Sequence, residues 1–262
     1  MRKRSASIED SLIPILFLAA LILGWELTVD RGLLARFILP SPWDILKAIT
    51  GIFPAINPHL AVTLREAFLG LVSSMVLAGV LAVFMDEIAV AKKAVYPILV
   101  VSQTIPVIAL APLFALWFGF GELPKIFVVV LVCFFPIVIN LVDGLDSVDQ
   151  DMLNLFKSMG ANRIQILKYL KFPAATAYFF SGLRIAATYS IMGAVIGEWL
   201  GGEEGLGVYM IRVKQSYDLD KVFAVIIIIV ILSIALFKAI GLTERLLTPW
   251  RAERKMNGGW EE

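Results

Sequence analysis

The chain has 262 residues, 59% of them hydrophobic and only 17% charged, where soluble domains carry about 45–50% apolar and about a quarter charged residues. Its 23 Lys and Arg nearly cancel its 22 Asp and Glu, which argues against a basic nucleic-acid surface. A single cysteine, Cys133, and a single histidine, His59, exclude an internal disulfide and a Cys/His zinc cluster.

In chain order, an apolar run from Leu12 to Val29 is too long for a signal-peptide core and reads as an uncleaved first span. Between Asp30 and Asn57, Pro40, Pro42, Pro54 and several charges predict an extended outer loop with short surface helices. Span two, Leu60–Met85, repeats the small residues Gly70, Ser73, Ser74, Ala78, Gly79 and Ala82 at helical spacing, which implies close helix packing. Span three, Ala94–Phe118, contains Pro97, Pro106 and Pro112 and is predicted to be broken or kinked.

After a turn at Gly119–Pro124, span four runs from Ile126 to Val142 and carries Pro136. An amphipathic stretch follows, then span five at Ala174–Trp199, a polar segment to Asp220, span six at Val222–Gly241 and a charged tail from Leu242. The reading is an all-α integral membrane protein of about six transmembrane helices. Its parts are 1–59 (N-terminal tail, first span and outer loop), a core 60–241 of five spans containing a cytoplasmic loop 143–173, and a tail 242–262. Arg2, Lys3, Arg4, Lys92, Lys93, Lys157, Arg163, Lys168, Lys171, Arg245, Arg251, Arg254 and Lys255 fall on one side of this topology, so the positive-inside rule makes both termini cytoplasmic.

The loop 143–173 is the informative segment. Met152, Leu155, Phe156 and Met159 recur at i, i+3, i+4 and i+7 and form one apolar helical stripe. Gly160 stands where a left-handed turn ends a helix, and Ala161–Lys171 restarts a helical pattern before Pro173. Such a stripe either packs on the protein's own spans or enters a groove on another protein.

Asn154 to Pro173 resembles the "EAA" loop of ATP-binding-cassette importer permeases, with Gly160 and Pro173 at that motif's spacing. Asn154-Leu155-Phe156 replaces its Glu-Ala-Ala, and Leu170-Lys171-Phe172-Pro173 replaces Ile-x-Leu-Pro. Leu39-Pro-Ser-Pro42, the stretch Ala111–Glu122, Phe134–Asn140, Gly182-Leu-Arg-Ile-Ala186 and Gly205-Leu-Gly207 are similar to the nitrate/sulfonate/taurine branch of these permeases, which also includes importers of vitamin precursors.

The resemblance implies a type I importer permease in the cell inner membrane, working as a dimer, here a homodimer. Its partners are then two cytosolic ATPases that bind ATP and Mg2+, and an external solute-binding protein that delivers the solute. It also implies that the EAA-like loop is the ATPase-coupling element, carried here by Leu155, Phe156, Met159, Gly160, Ala161 and Pro173.

The chain itself offers no Gly-x-x-x-x-Gly-Lys-Ser/Thr, no Gly-x-Ser-x-Gly and no His-Glu-x-x-His. It is therefore expected to be no enzyme, to hold no cofactor or metal of its own and to bind no nucleic acid. A translocation path is expected at the break in span three, with Gln103, Thr104 and Pro106 supplying polar and irregular backbone and Phe134 and Phe135 an apolar gate. Arg184 reads as a structural anchor, Glu198 as a solvated group near the outer interface, and the segment around Val208, Tyr209 and Ile211 as an interfacial amphipathic helix. An ion-gradient-driven secondary transporter is the alternative, but it would leave the cytoplasmic hairpin without a task.

Overall fold

The computed structural model describes residues 8–249. Arg2, Lys3, Arg4, Arg251, Arg254 and Lys255, used above for orientation, lie outside the described residues. Among those described, every regular element is a helix.

Helix α1 (Ile8–Asp30) forms the first span, and its apolar side chains face outward over most of its length. Helix α2 (Pro42–Glu87) corrects the reading of 30–57 as a loop, because it starts at Pro42 and runs unbroken through Pro54 and Pro58. Ser41 caps it by accepting from the Asp44 N–H, and Pro42 fits the first turn, whose N–H groups have no partner within the helix. The two internal prolines lie on the exposed side, while Ile45, Ala48, Ile52 and Ile56 form a buried stripe. Its 46 residues would span about 69 Å at 1.5 Å per residue, more than twice a hydrocarbon core of about 30 Å.

Helices α3 (Ala89–Ser102) and α4 (Val107–Phe118) together make the broken third span and meet at 102°. The pair crosses the membrane rather than returning to its starting side. The base of α3 lies beside the end of α5 (Glu122–Asp146), through the pair Lys92–Asp146, while Phe120, just past α4, lies against Gly201 beyond the far end of α8 (Phe172–Glu198).

The core is the α2–α5–α8 triplet, with Ala78, Ala82, Val129, Cys133, Ile137, Ala186, Ala187 and Ile191 fully enclosed. Lipid tails supply no hydrophobic drive between helices, so close packing has to hold them together. Small residues make that possible: a Cβ at Gly193 would come within 2.8 Å of Val132, and one at Gly144 within 2.7 Å of Tyr178. On α2, Gly70, Ser74, Ala78 and Ala82 of the predicted series are buried while Ser73 is exposed and Gly79 half-buried, and the Ser74 hydroxyl lies 3.1 Å from the Val130 carbonyl of α5.

Between α5 and α8 lie α6 (Gln150–Ser158), α7 (Arg163–Ile166) and a π-turn at Leu167–Lys171 that runs directly into α8. Past α8, α9 (Leu206–Gln215) packs Leu206, Val208 and Val213 inward, so its apolar side covers protein rather than lipid. Helix α10 (Leu219–Leu247) is the last span.

Candidate functional site

Three polar constructions stand out against the apolar body: the hairpin at one face, a buried cluster toward the other, and the break between α3 and α4. The hairpin is shaped by its caps. Asp149 starts α6 by accepting from the Asp151 N–H at 2.8 Å. At the other end the Ala161 N–H reaches the Phe156 carbonyl at 3.0 Å and Gly160 adopts φ +79°, a left-handed turn that closes the helix. Asn162 and Gln165 then form a reciprocal capping box, both bonds 2.8 Å, which starts α7.

No residue of α6 is buried. Met152 is 44%, Leu155 50% and Met159 76% exposed, with Phe156 half-buried. Of the two readings of the stripe, the chain's own spans therefore leave most of it open. Gly160 is exposed, with open space where a Cβ would stand, and Ala161 is half-buried. Pro173 is exposed in the first turn of α8 and does not interrupt the helix: the π-turn before it has already shifted the hydrogen-bond register.

Gln103, Thr104 and Pro106 all sit exposed at the 102° break. Phe134 and Phe135 lie on α5, edge-to-face with each other at 5.5 Å and packed against the core. The aromatic group found beside the broken span is a different one, in which Phe118 stacks on Phe127 at 4.4 Å and Phe114 joins both. Sequence reading missed it because Phe127 belongs to another span.

The second missed construction is the buried polar cluster. Lys125 of α5 bonds Glu66 of α2 at 2.8 Å, with the two side chains 9% and 1% exposed. Glu198 is not solvated as the sequence suggested but 1% exposed, accepting from the Thr63 hydroxyl at 2.5 Å and the Gly207 N–H at 2.6 Å. Thr63 in turn accepts from the Leu206 N–H, and His59 accepts from the Gly205 N–H at 3.0 Å. Glu198 and Thr63 thus cap the start of α9, a helix with no ordinary N-cap side chain. Gly205, at φ +127°, has no room for a Cβ beside the Glu198 carboxyl. Arg184 is an anchor, as expected, pairing with Glu244 of α10 at 2.7 Å.

None of this assembles a nucleophile with a base, and no group of three metal-ligating side chains exists among the described residues. A rigid helical triplet, a broken span and a solvent-facing apolar hairpin define a transport subunit of the membrane. Residues 74–248 match the family of binding-protein-dependent transport system inner membrane components, and the chain belongs to that family.

The chain is 41% identical to the formylaminopyrimidine transport permease protein ThiX of Halalkalibacterium halodurans, over 94% of this chain and 98% of that protein. It is 32% identical to the riboflavin transport system permease protein RibX of Chloroflexus aurantiacus, over 90% of this chain and 88% of that one. The fold matches a chain of the MetNI methionine ABC transporter, solved in an inward-facing form, with TM-score 0.58 and 19% identity, over 80% of this chain and 99% of that chain. The protein is therefore the permease subunit of an ATP-binding-cassette importer, an inner-membrane, multi-pass and non-catalytic component, and not a secondary transporter.

Proposed function

We propose that two copies of this chain form the translocation path, that cytosolic ATPases dock on the α6 hairpin, and that an external binding protein delivers a small heteroaromatic vitamin precursor to the opposite face. The carrying observation is the exposed stripe Met152, Leu155 and Met159 on a hairpin whose partner surface lies outside the chain. Lys92, Lys93, Lys157, Arg163, Lys168 and Lys171 surround that face, which supports reading it as cytoplasmic.

The break in span three supports the second copy. Irregular backbone at membrane depth needs protein or water around it, and this chain leaves 103–106 uncovered. Gln103, Thr104 and Pro106 then line the path, and Phe134 and Phe135, half-buried by their own chain, supply its apolar constriction. On the opposite face an open cleft of about 560 Å³ between the α1–α2 loop and the start of α10, lined by Arg36, Asp44, Lys47, Asp218 and Asp220, offers mixed charge to a binding protein.

The substrate class rests on the 41% identity to a formylaminopyrimidine permease. Lys125 and Arg184, set between the helices, are each paired with a carboxylate, so neither offers a free cation to a sulfonate. Trp117 and Phe120, 67% and 84% exposed beside the broken span, suit a flat ring. The test is ATP-dependent uptake into proteoliposomes containing the permease, its ATPase and its binding protein. Labelled formylaminopyrimidine is expected to accumulate and to resist competition by taurine. Taurine uptake without pyrimidine uptake would contradict the assignment.

A further inference from the structure

We infer that the acidic corner Asp86–Glu87, between α2 and α3, is the positioning element that carries movement of the hairpin into the broken span. This rests on the coupled-importer reading above and names the residues through which the coupling passes.

Helix α2 ends at Glu87, Ile88 is extended, and α3 begins at Ala89, so one residue makes the corner. The far root of the hairpin is fastened at this corner, and the near root to α3, which leads out of it. On the far root, Lys171 bonds Asp86 at 2.6 Å and Arg163 approaches Glu87 at 3.7 Å. On the near root, Lys92 pairs with Asp146, the last residue of α5, and the Tyr96 hydroxyl donates to Asp143 at 3.0 Å.

The four tethers are unequal. Asp86 and Lys171 are 6% and 19% exposed, sheltered from the screening that empties surface pairs of strength. Arg163 is 84% exposed, and its contact guides rather than holds. Lys171 also closes the π-turn, a register in which a helix can shift by small hydrogen-bond exchanges and which marks functional sites in many helices.

From this corner α3 runs 14 residues, about 21 Å at 1.5 Å per residue, to the break that leaves Gln103 and Thr104 exposed. A tilt of the hairpin roots therefore moves the base of α3, and the unsupported break at its other end is where that movement becomes a change of path. Small displacements at packed, bistable contacts are amplified in this way.

The test uses the full chain in complex with its co-purified ATPase. Ile105→Cys places a reporter at the break, and the chain's own Cys133 is buried and unreactive toward a water-soluble maleimide. Adding ATP, Mg2+ and vanadate is expected to change the labelling rate of Ile105→Cys several-fold. Asp86→Asn is expected to erase most of that change while ATP hydrolysis continues, and Lys92→Gln to blunt it from the other root.

The swap Asp86→Lys with Lys171→Asp is expected to restore the response, which a pair acting on stability alone would not require. A full response in both Asp86→Asn and Lys92→Gln, or a loss that the swap does not reverse, would overturn the inference. No nucleotide response in the parent would instead remove the coupled-importer reading, and the inference with it.

Discussion

Helices α5 and α8 and the hairpin joining them are consecutive in the chain yet meet opposite requirements. The two long helices touch through Gly144, Gly182, Gly193 and Gly197, so closely that a methyl group added at any of them collides with the partner helix. The hairpin buries no residue of α6 and shows its apolar stripe to water. Where the chain is its own partner, shape alone holds it together, because lipid gives no hydrophobic gain. On the hairpin, whose proposed partner is another chain, apolar surface stays open and caps rather than packing hold the shape. Substitutions should accordingly unfold the protein in the first region and disconnect it in the second.

The largest effect is expected at the buried pair. Lys125→Met leaves Glu66 and Glu198 together in the interior without their cation and is expected to destabilise by about 3–5 kcal/mol, read as a large fall in melting temperature in detergent. Adding Glu66→Gln to Lys125→Met should recover part of it. Next, Gly193→Leu forces a side chain into a Cβ position already 2.8 Å from Val132 and 3.2 Å from the Val129 backbone. Overpacking of this kind costs about 1–3 kcal/mol, and the monodisperse fraction on size-exclusion chromatography should shrink. Gly79→Ala, which has nothing within 4 Å, should leave that fraction unchanged.

On the hairpin the stability effects diminish. Gly160→Ala strains a left-handed residue by about 1 kcal/mol, while Gly160→Asn should be milder; thermal melts of the two variants compare them. Leu155→Ser with Met159→Ser should shift stability by less than about 0.5 kcal/mol, as exposed substitutions do, yet should abolish binding-protein-stimulated ATP hydrolysis in the reconstituted importer. If those serine changes unfold the protein, the contrast between the two regions is wrong.

The spans were legible because each is a long apolar run, and the broken third span because Pro106 removes a donor within one. The segment 30–57 was misread for a related reason. Pro40, Pro42 and Pro54 punctuate it as a loop, with Pro58 just beyond, although Ile45, Ala48, Ile52 and Ile56 already carried a helical period. Pro42 suits a first turn, and the two later prolines face outward, so their missing N–H groups do not break the buried side.

Of the candidate site, the hairpin's stripe and its glycine were readable because both are local patterns. The Asn162–Gln165 capping box was equally local and went unread, since Asn-x-x-Gln is a weak variant of the motif. Glu66–Lys125 and Asp86–Lys171 join residues 59 and 85 positions apart. No local periodicity brings such residues together; only the packing of α2 alongside α5 in the same direction, with α8 antiparallel to both, does.

The most direct measurement is a mild-detergent pull-down of the tagged full chain from native membranes, wild type against Leu155→Asp with Met159→Asp, with every stoichiometric partner identified by mass spectrometry. The account predicts that the wild type retains an ATP-binding-cassette ATPase and that the variant, folded and dimeric, loses it. An ATPase held equally well by both would show that the α6 stripe is not the docking surface and would contradict the central claim.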